Sequence, residues 1–182
     1  MGYLIENALD YGSRCLIVGL ILLIPFYWAR QQLIQRGFFR RGSMAHEGAV
    51  LVFAVYMGGI LALTLLPRRF TFPPEYSFRS TILEIWQGTF TAGPWIYTMM
   101  AGNVIMFIPF GFLMPIFWKQ RWWQTPLLAL GVILCIEMLQ PFLDRGFDVD
   151  DIFLNFTGAV LGLLLSSIPR ALCPKLVSKV RE

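Results

Sequence analysis

IYTMMAGNVIMFIPFGFLMPIFWKQRWWQTPLLALGVILCIEMLQPFLDRGFDVDDIFLNFTGAVLGLLLSSI, from Ile96 to Ile168, decides the fold. It holds three apolar runs, Ile96 to Trp118, Thr125 to Leu143 and Ile152 to Ile168, parted by two short polar turns. A spanning helix needs roughly 17–25 residues, because the hydrocarbon core is about 30 Å thick. No water reaches backbone amides there, so each must be paired inside its own segment, and helix is the default. Two further runs precede the stretch. One is Cys15 to Ala29, extendable to Tyr11 or Gln31, and the other is Ala49 to Pro67. The expected fold is all-α and integral to the membrane, a bundle of five transmembrane helices. Pro25, Pro109 and Pro115 each remove a backbone donor and should kink their helices.

Composition agrees. Of 182 residues 57% are hydrophobic and only 14% charged, against roughly 25% charged in an ordinary soluble domain. Mean hydropathy is +0.62. These values exclude an ordinary soluble globular enzyme. The net charge of +4 sits in short segments between apolar runs, with no basic stripe interleaved with aromatics, so nucleic acid is not an expected partner. Cys15, Cys135 and Cys173 lie far apart, without a CxxC, and read as small hydrophobes. Glu6 and Asp10 make the first segment acidic, unlike a cleavable signal peptide, so the first run is expected to stay as a helix. No soluble domain or repeat is visible, and residues 1–182 read as a single membrane domain.

Lys and Arg set the orientation. The N-terminal side holds Arg14, Arg68, Arg69, Arg79 and Arg145, five in all. The opposite side holds ten: Arg30, Arg36, Arg40 and Arg41, then Lys119 and Arg121, then Arg170, Lys175, Lys179 and Arg181. The positive-inside rule then places the N-terminus outside and the C-terminus in the cytoplasm.

The second loop is the longest, about Arg68 to Trp95, and its TFPPEY cannot be helical. After it, Thr81 and Glu84 have capping-box spacing. Thr81 to Phe90 carries Ile82, Leu83, Ile85, Trp86 and Phe90, which predicts a short interfacial helix on the outer face with Trp86 as its anchor.

Polar residues beside apolar runs point to the site, because a polar group in hydrocarbon is costly unless paired. Asn103 sits in the third run, where its amide can bond a neighbouring helix or a carbonyl freed by Pro109. Glu137 and Gln140 are three apart on the fourth, so they share a face, and Asp144 extends it. Arg145 and Arg79 are candidate cationic partners for Glu137. DRGFDVDDIFLN brings Asp144, Arg145, Asp148, Asp150, Asp151 and Asn155 to the mouth of the last two runs. Asp148, Asp151 and Asn155 have the spacing of one helical face, and Asp148 could cap that helix. Gly158 and Gly162 form a GxxxG that continues the face and would draw a neighbouring helix onto Asp151 and Asn155; Gly58, Gly59 and Ala62 could offer the matching surface.

Missing groups narrow the chemistry. The one histidine, His46, lies in the first loop, so no Ser-His-Asp triad or histidine-ligated zinc can form at the acidic cluster. No P-loop or GxGxxG is present. The expected cofactor is none; a divalent cation at Asp148 and Asp151 is the one metal this oxygen set could hold, without the EF-hand spacing.

Gly102 to Pro115, GNVIMFIPFGFLMP, and Ile136 to Gly162, IEMLQPFLDRGFDVDDIFLNFTGAVLG, resemble the VanZ-like family of bacterial membrane proteins. The first block is similar to the family's asparagine, apolar stretch and PFG. The second is similar to its E-x-x-Q, then Arg, an Asp-rich turn and Asn-x-x-Gly-x-x-x-Gly. The family's Asn-Leu-x-Pro-Phe after the second span is not found; TFPPEYSFRSTILEIW stands there. The family-like core is about 96–168. The resemblance implies a multi-pass protein of the bacterial cytoplasmic membrane. It also implies that Asn103, Glu137, Gln140, Arg145, Asp148, Asp151 and Asn155 are the site residues. The founding member is associated with resistance to teicoplanin, a lipid-bearing glycopeptide.

The leading expectation is therefore an outward-facing polar pocket that binds or handles a lipidic or amphiphilic cell-envelope ligand, of which a teicoplanin-type glycopeptide is one case. Membrane lipids and a lipid-linked or lipoglycopeptide ligand are the expected partners. The alternative is a carboxylate- or metal-dependent membrane enzyme acting on a lipid-linked envelope substrate, with Glu137 protonated and Asp151 ionised. A proton-coupled carrier titrating Glu137 and a purely structural polar lock are the remaining readings.

Overall fold

The structure is a computed structural model, and it describes residues 2–37, 42–65, 70, 72–74, 76 and 80–181, with backbone only at 2–12 and 14–16. Among the described residues all regular structure is helical: α1 Gly2–Gln35, α2 Met44–Leu65, α3 Thr81–Trp86, α4 Pro94–Phe117, α5 Gln124–Leu139, α6 Val149–Leu165, α7 Ser167–Leu172 and α8 Pro174–Arg181. A 3₁₀ turn, Gln140–Leu143, extends α5. Five stretches are long and apolar enough to cross a membrane: Ile17–Gln35, Met44–Leu65, Pro94–Phe117, Gln124–Leu143 and Val149–Leu172. The protein is a multi-pass membrane protein.

Charges account for two of the boundaries that differ from the expected ones, and a proline for the end of α5. The second span begins at Met44 rather than Ala49 because Glu47 can be carried into the helix: Arg30 Nη2 donates to Glu47 Oε1 at 2.8 Å. Ser43 Oγ takes the His46 N–H at 3.2 Å, the bond expected of a cap. The fifth span begins at Val149 because Asp148 caps α6, its Oδ1 accepting from the Asp150 N–H at 2.8 Å. α5 stops at Leu139 because Pro141 has no N–H to return to the Glu137 carbonyl.

The chain forms two compact units, residues 1–66 with 175–182, and residues 67–174. In the first, α1 and α2 form an antiparallel hairpin with constant register. Arg30 meets Glu47 at one level, and Gly19 meets Gly58 at another. A Cβ on Gly58 would lie 2.8 Å from the Gly19 Cα, so the helices touch backbone to backbone.

In the second unit α4 and α6 pack most extensively, and α5 lies against α6 and, less, α4. A Cβ on Gly158 would collide with the Val104 carbonyl, on Gly162 with that of Ile108, and on Gly111 with that of Ala159. Contacts that advance together along both chains define a parallel pair. Here the sequence-based expectation changes: the partner of Gly158 and Gly162 is α4, while Gly58 is taken up by α1. The exterior of this unit is apolar (Leu127, Leu128, Met138, Phe153, Leu161, Leu164), and polar groups are inside, as a lipid solvent demands.

Candidate functional site

The parallel register fixes the depth of the polar cluster. Asn103 lies nine residues into α4, about 13 Å along the axis at 1.5 Å per residue. There its Nδ2 donates to Asp151 Oδ1 in the first turn of α6. α6 therefore starts well below the start of α4, and the second loop comes down to it. Asp150 receives the Ser80 hydroxyl at 2.5 Å and the Ile82 N–H at 2.9 Å, which docks α3 at the N-terminal end of α6. Ser80 also accepts from the Leu83 N–H, so Ser80 is the cap of α3, and Thr81 is already helical. Trp86 is 83% exposed, as an interfacial anchor requires. Tyr76 reaches the same end, donating to the Met138 carbonyl at 3.3 Å and stacking edge-on against Phe147.

Glu137, only 1% exposed, is held by neutral donors. The Asp148 N–H reaches its Oε2 at 3.2 Å. The Gln140 amide, oriented with nitrogen toward acceptors, donates to the same oxygen at 3.1 Å and to the Gly146 carbonyl at 3.2 Å. Arg79, the other cation expected near Glu137, lies outside the described residues. Arg145 is half-buried in the segment before α6, and its backbone N–H bonds the Gln140 carbonyl at 3.1 Å. Asn155 sits one turn beyond Asp151 on the stripe that faces α4; it is 3% exposed, and its Oδ1 has no hydrogen-bond partner.

The expected common face of Asp148, Asp151 and Asn155 breaks at Asp148, whose extended backbone (φ −126°) leaves it outside the helix as cap. Burial, joined by the neighbouring Asp150 charge, pushes the Asp148 carboxyl above its ordinary value, against the pull of the Asp150 and Asp151 N–H groups. Asp144 does not extend the Glu137 face either. It ends the 3₁₀ turn in a left-handed conformation (φ 57°) and is exposed. Among the described residues no three His, Cys, Asp or Glu side chains group as metal ligands.

Asp150 is a structural contact with Ser80 and Ile82 rather than one more acid of the turn. Its partner lies 70 residues away, and no local pattern announces it.

The arrangement is a largely buried cluster of carboxyls and amides from three apolar helices, with α3 docked at its edge. A model of the VanZ/LLP1 family matches residues 53–170. The chain belongs to the VanZ-like family. The match runs from α2 through α7, so both polar blocks and the docked loop lie in the family's part of the chain. No curated protein and no solved structure matches the chain.

Proposed function

We propose that this VanZ-like protein binds an amphiphilic cell-envelope ligand at the polar mouth of α4, α5 and α6, with the ligand's tail in lipid and its head group on the carboxyls and amides. One observation carries the reading. Asn103, Glu137, Gln140, Asp148 and Asp151, from separate elements, are joined in two hydrogen-bonded strings at one end of an otherwise apolar helix trio. Asn155 adds an acceptor to the same stripe, and Arg145 in the adjoining segment supplies a cation for an acidic group. The Lys and Arg count supports an N-terminus outside and a cytoplasmic C-terminus in a bacterial membrane, which turns this mouth outward.

A lipoglycopeptide of the teicoplanin type has the required form, an acyl tail and a polar head. The test is teicoplanin susceptibility in a sensitive Gram-positive host expressing wild type or Asp151→Asn at matched membrane levels. Protection by wild type and its loss in the variant is the expected result. No protection from well-expressed wild type would remove teicoplanin. Ligand binding itself is tested by mass spectrometry of lipids co-purifying with wild type and with Asp151→Asn; identical profiles would overturn it.

A further inference from the structure

The C-terminal helix folds back on the first turn of α2. Ser43 Oγ donates to the Lys179 carbonyl at 3.0 Å, and His46 Nδ1 bonds the Val180 carbonyl at 3.0 Å. A carbonyl only accepts, so this ring carries its proton on Nδ1. Both bonds use carbonyls of the last turn, groups that a helix end leaves unpaired. Val177 is buried. An eight-residue helix is too short to hold itself, so these contacts fix α8 beside the start of α2.

The fixed helix is amphipathic. Leu176, Val177 and Val180 form one side, and Lys175 and Lys179, four residues apart, form the adjoining one. Lys175, Lys179 and Leu176 are exposed. Arg36 is exposed at the end of α1. The carboxylate on the first turn of α2, Glu47, is taken by Arg30 and by the Gly42 N–H. This end of the hairpin is therefore a cationic surface level with the start of a membrane span.

We propose that α8 is a binding element for anionic phospholipid, lying in the head-group layer with Lys175 and Lys179 on lipid phosphates and Leu176 turned to the acyl boundary. Charge complementarity selects the partner, since lysines beside a span are drawn to a negative leaflet. A bilayer fits better than a free anion for two reasons. The lysines line one flank instead of converging on a point, and the exposed Leu176 on the adjoining side gains from an acyl boundary.

The test uses the full chain in nanodiscs of phosphatidylcholine alone and of equimolar phosphatidylcholine and phosphatidylglycerol, with hydrogen exchange read at α8. The anionic discs should slow exchange by about tenfold or more, the scale of two lysines at a charged surface, and raised salt should reverse the slowing. Lys175→Glu with Lys179→Glu should abolish it, and Lys175→Arg with Lys179→Arg should keep it. Equal exchange in both discs would overturn the proposal, as would slowing that survives in the double glutamate variant. If glutamates loosen α8 even in neutral discs, the arginine pair decides, and loss of the anionic effect there also overturns it. Slowing by inorganic phosphate in neutral discs would assign a free-anion site instead.

Discussion

Asn103 on α4 and Asp151 on α6, 48 residues apart in sequence, are joined by a side-chain hydrogen bond at the first turn of α6. The bond sits directly above the glycine contacts Gly158–Val104 and Gly162–Ile108. Backbone contact and polar pairing therefore act on one helix pair, each holding the register the other needs.

Asn103→Ala should leave the half-buried Asp151 carboxyl without this donor, at a cost of about 1–3 kcal/mol. Asn103→Asp should cost more, because it sets a second carboxyl against the first. Thermal unfolding of the purified protein in detergent checks both. A midpoint unchanged by Asn103→Ala would show that the bond holds nothing together.

The glycines divide by what a Cβ would meet. Gly158→Val and Gly162→Val should prevent α4 and α6 from touching and sharply lower membrane accumulation. Gly102→Ala and Gly131→Ala, where nothing lies within 4 Å, should be neutral or gain up to about 1 kcal/mol from helix propensity. Expression level with unfolding midpoint for the four variants is the comparison; equal behaviour would refute tight α4–α6 packing.

Asp148 gives a pH signature. Its folded carboxyl titrates above the ordinary value, so its contribution is full below the unfolded pKa and fades as pH rises through the folded one. Asp148→Asn removes this fade and keeps the oxygen that caps α6. It should leave stability at neutral pH equal to or above wild type and flatten its acid-side slope. Asp148→Ala loses the cap, about 1 kcal/mol. Unfolding midpoints across the acidic range distinguish the three proteins; a steeper slope in Asp148→Asn would reverse the assignment.

Asp150→Ala and Ser80→Ala should release α3 without dissolving α4 and α6. Hydrogen exchange at Ile82 and Leu83 should quicken at least about tenfold, the scale of losing a hydrogen bond to a charged group, while the cores of α4 and α6 keep their protection. Equal loosening of both regions would mean that α3 is part of the core rather than a docked cover.

The two small-residue pairs show where local reading stops. Gly158 and Gly162 announce a close helix contact by spacing alone, yet the same small-residue spacing is met by Gly58 and Ala62 on α2. Only the packed structure gives the first pair to α4 and Gly58 to α1. The acidic turn behaves alike. Asp148 and Asp151 were legible as polar groups that must be satisfied, but whether each acts as cap or interhelical acceptor depends on backbone angles no pattern specifies.

Apolar length and the cost of an unpaired amide in hydrocarbon are local quantities, so five spans, their approximate limits and the polar residues that need partners follow from the order of residues. The partner of each polar group is not local. Asn103 with Asp151, Ser80 with Asp150, and Ser43 and His46 with the tail carbonyls are pairings between segments far apart in sequence. They are decided by which helices can approach to backbone contact, and that depends on the whole shape of each packed unit.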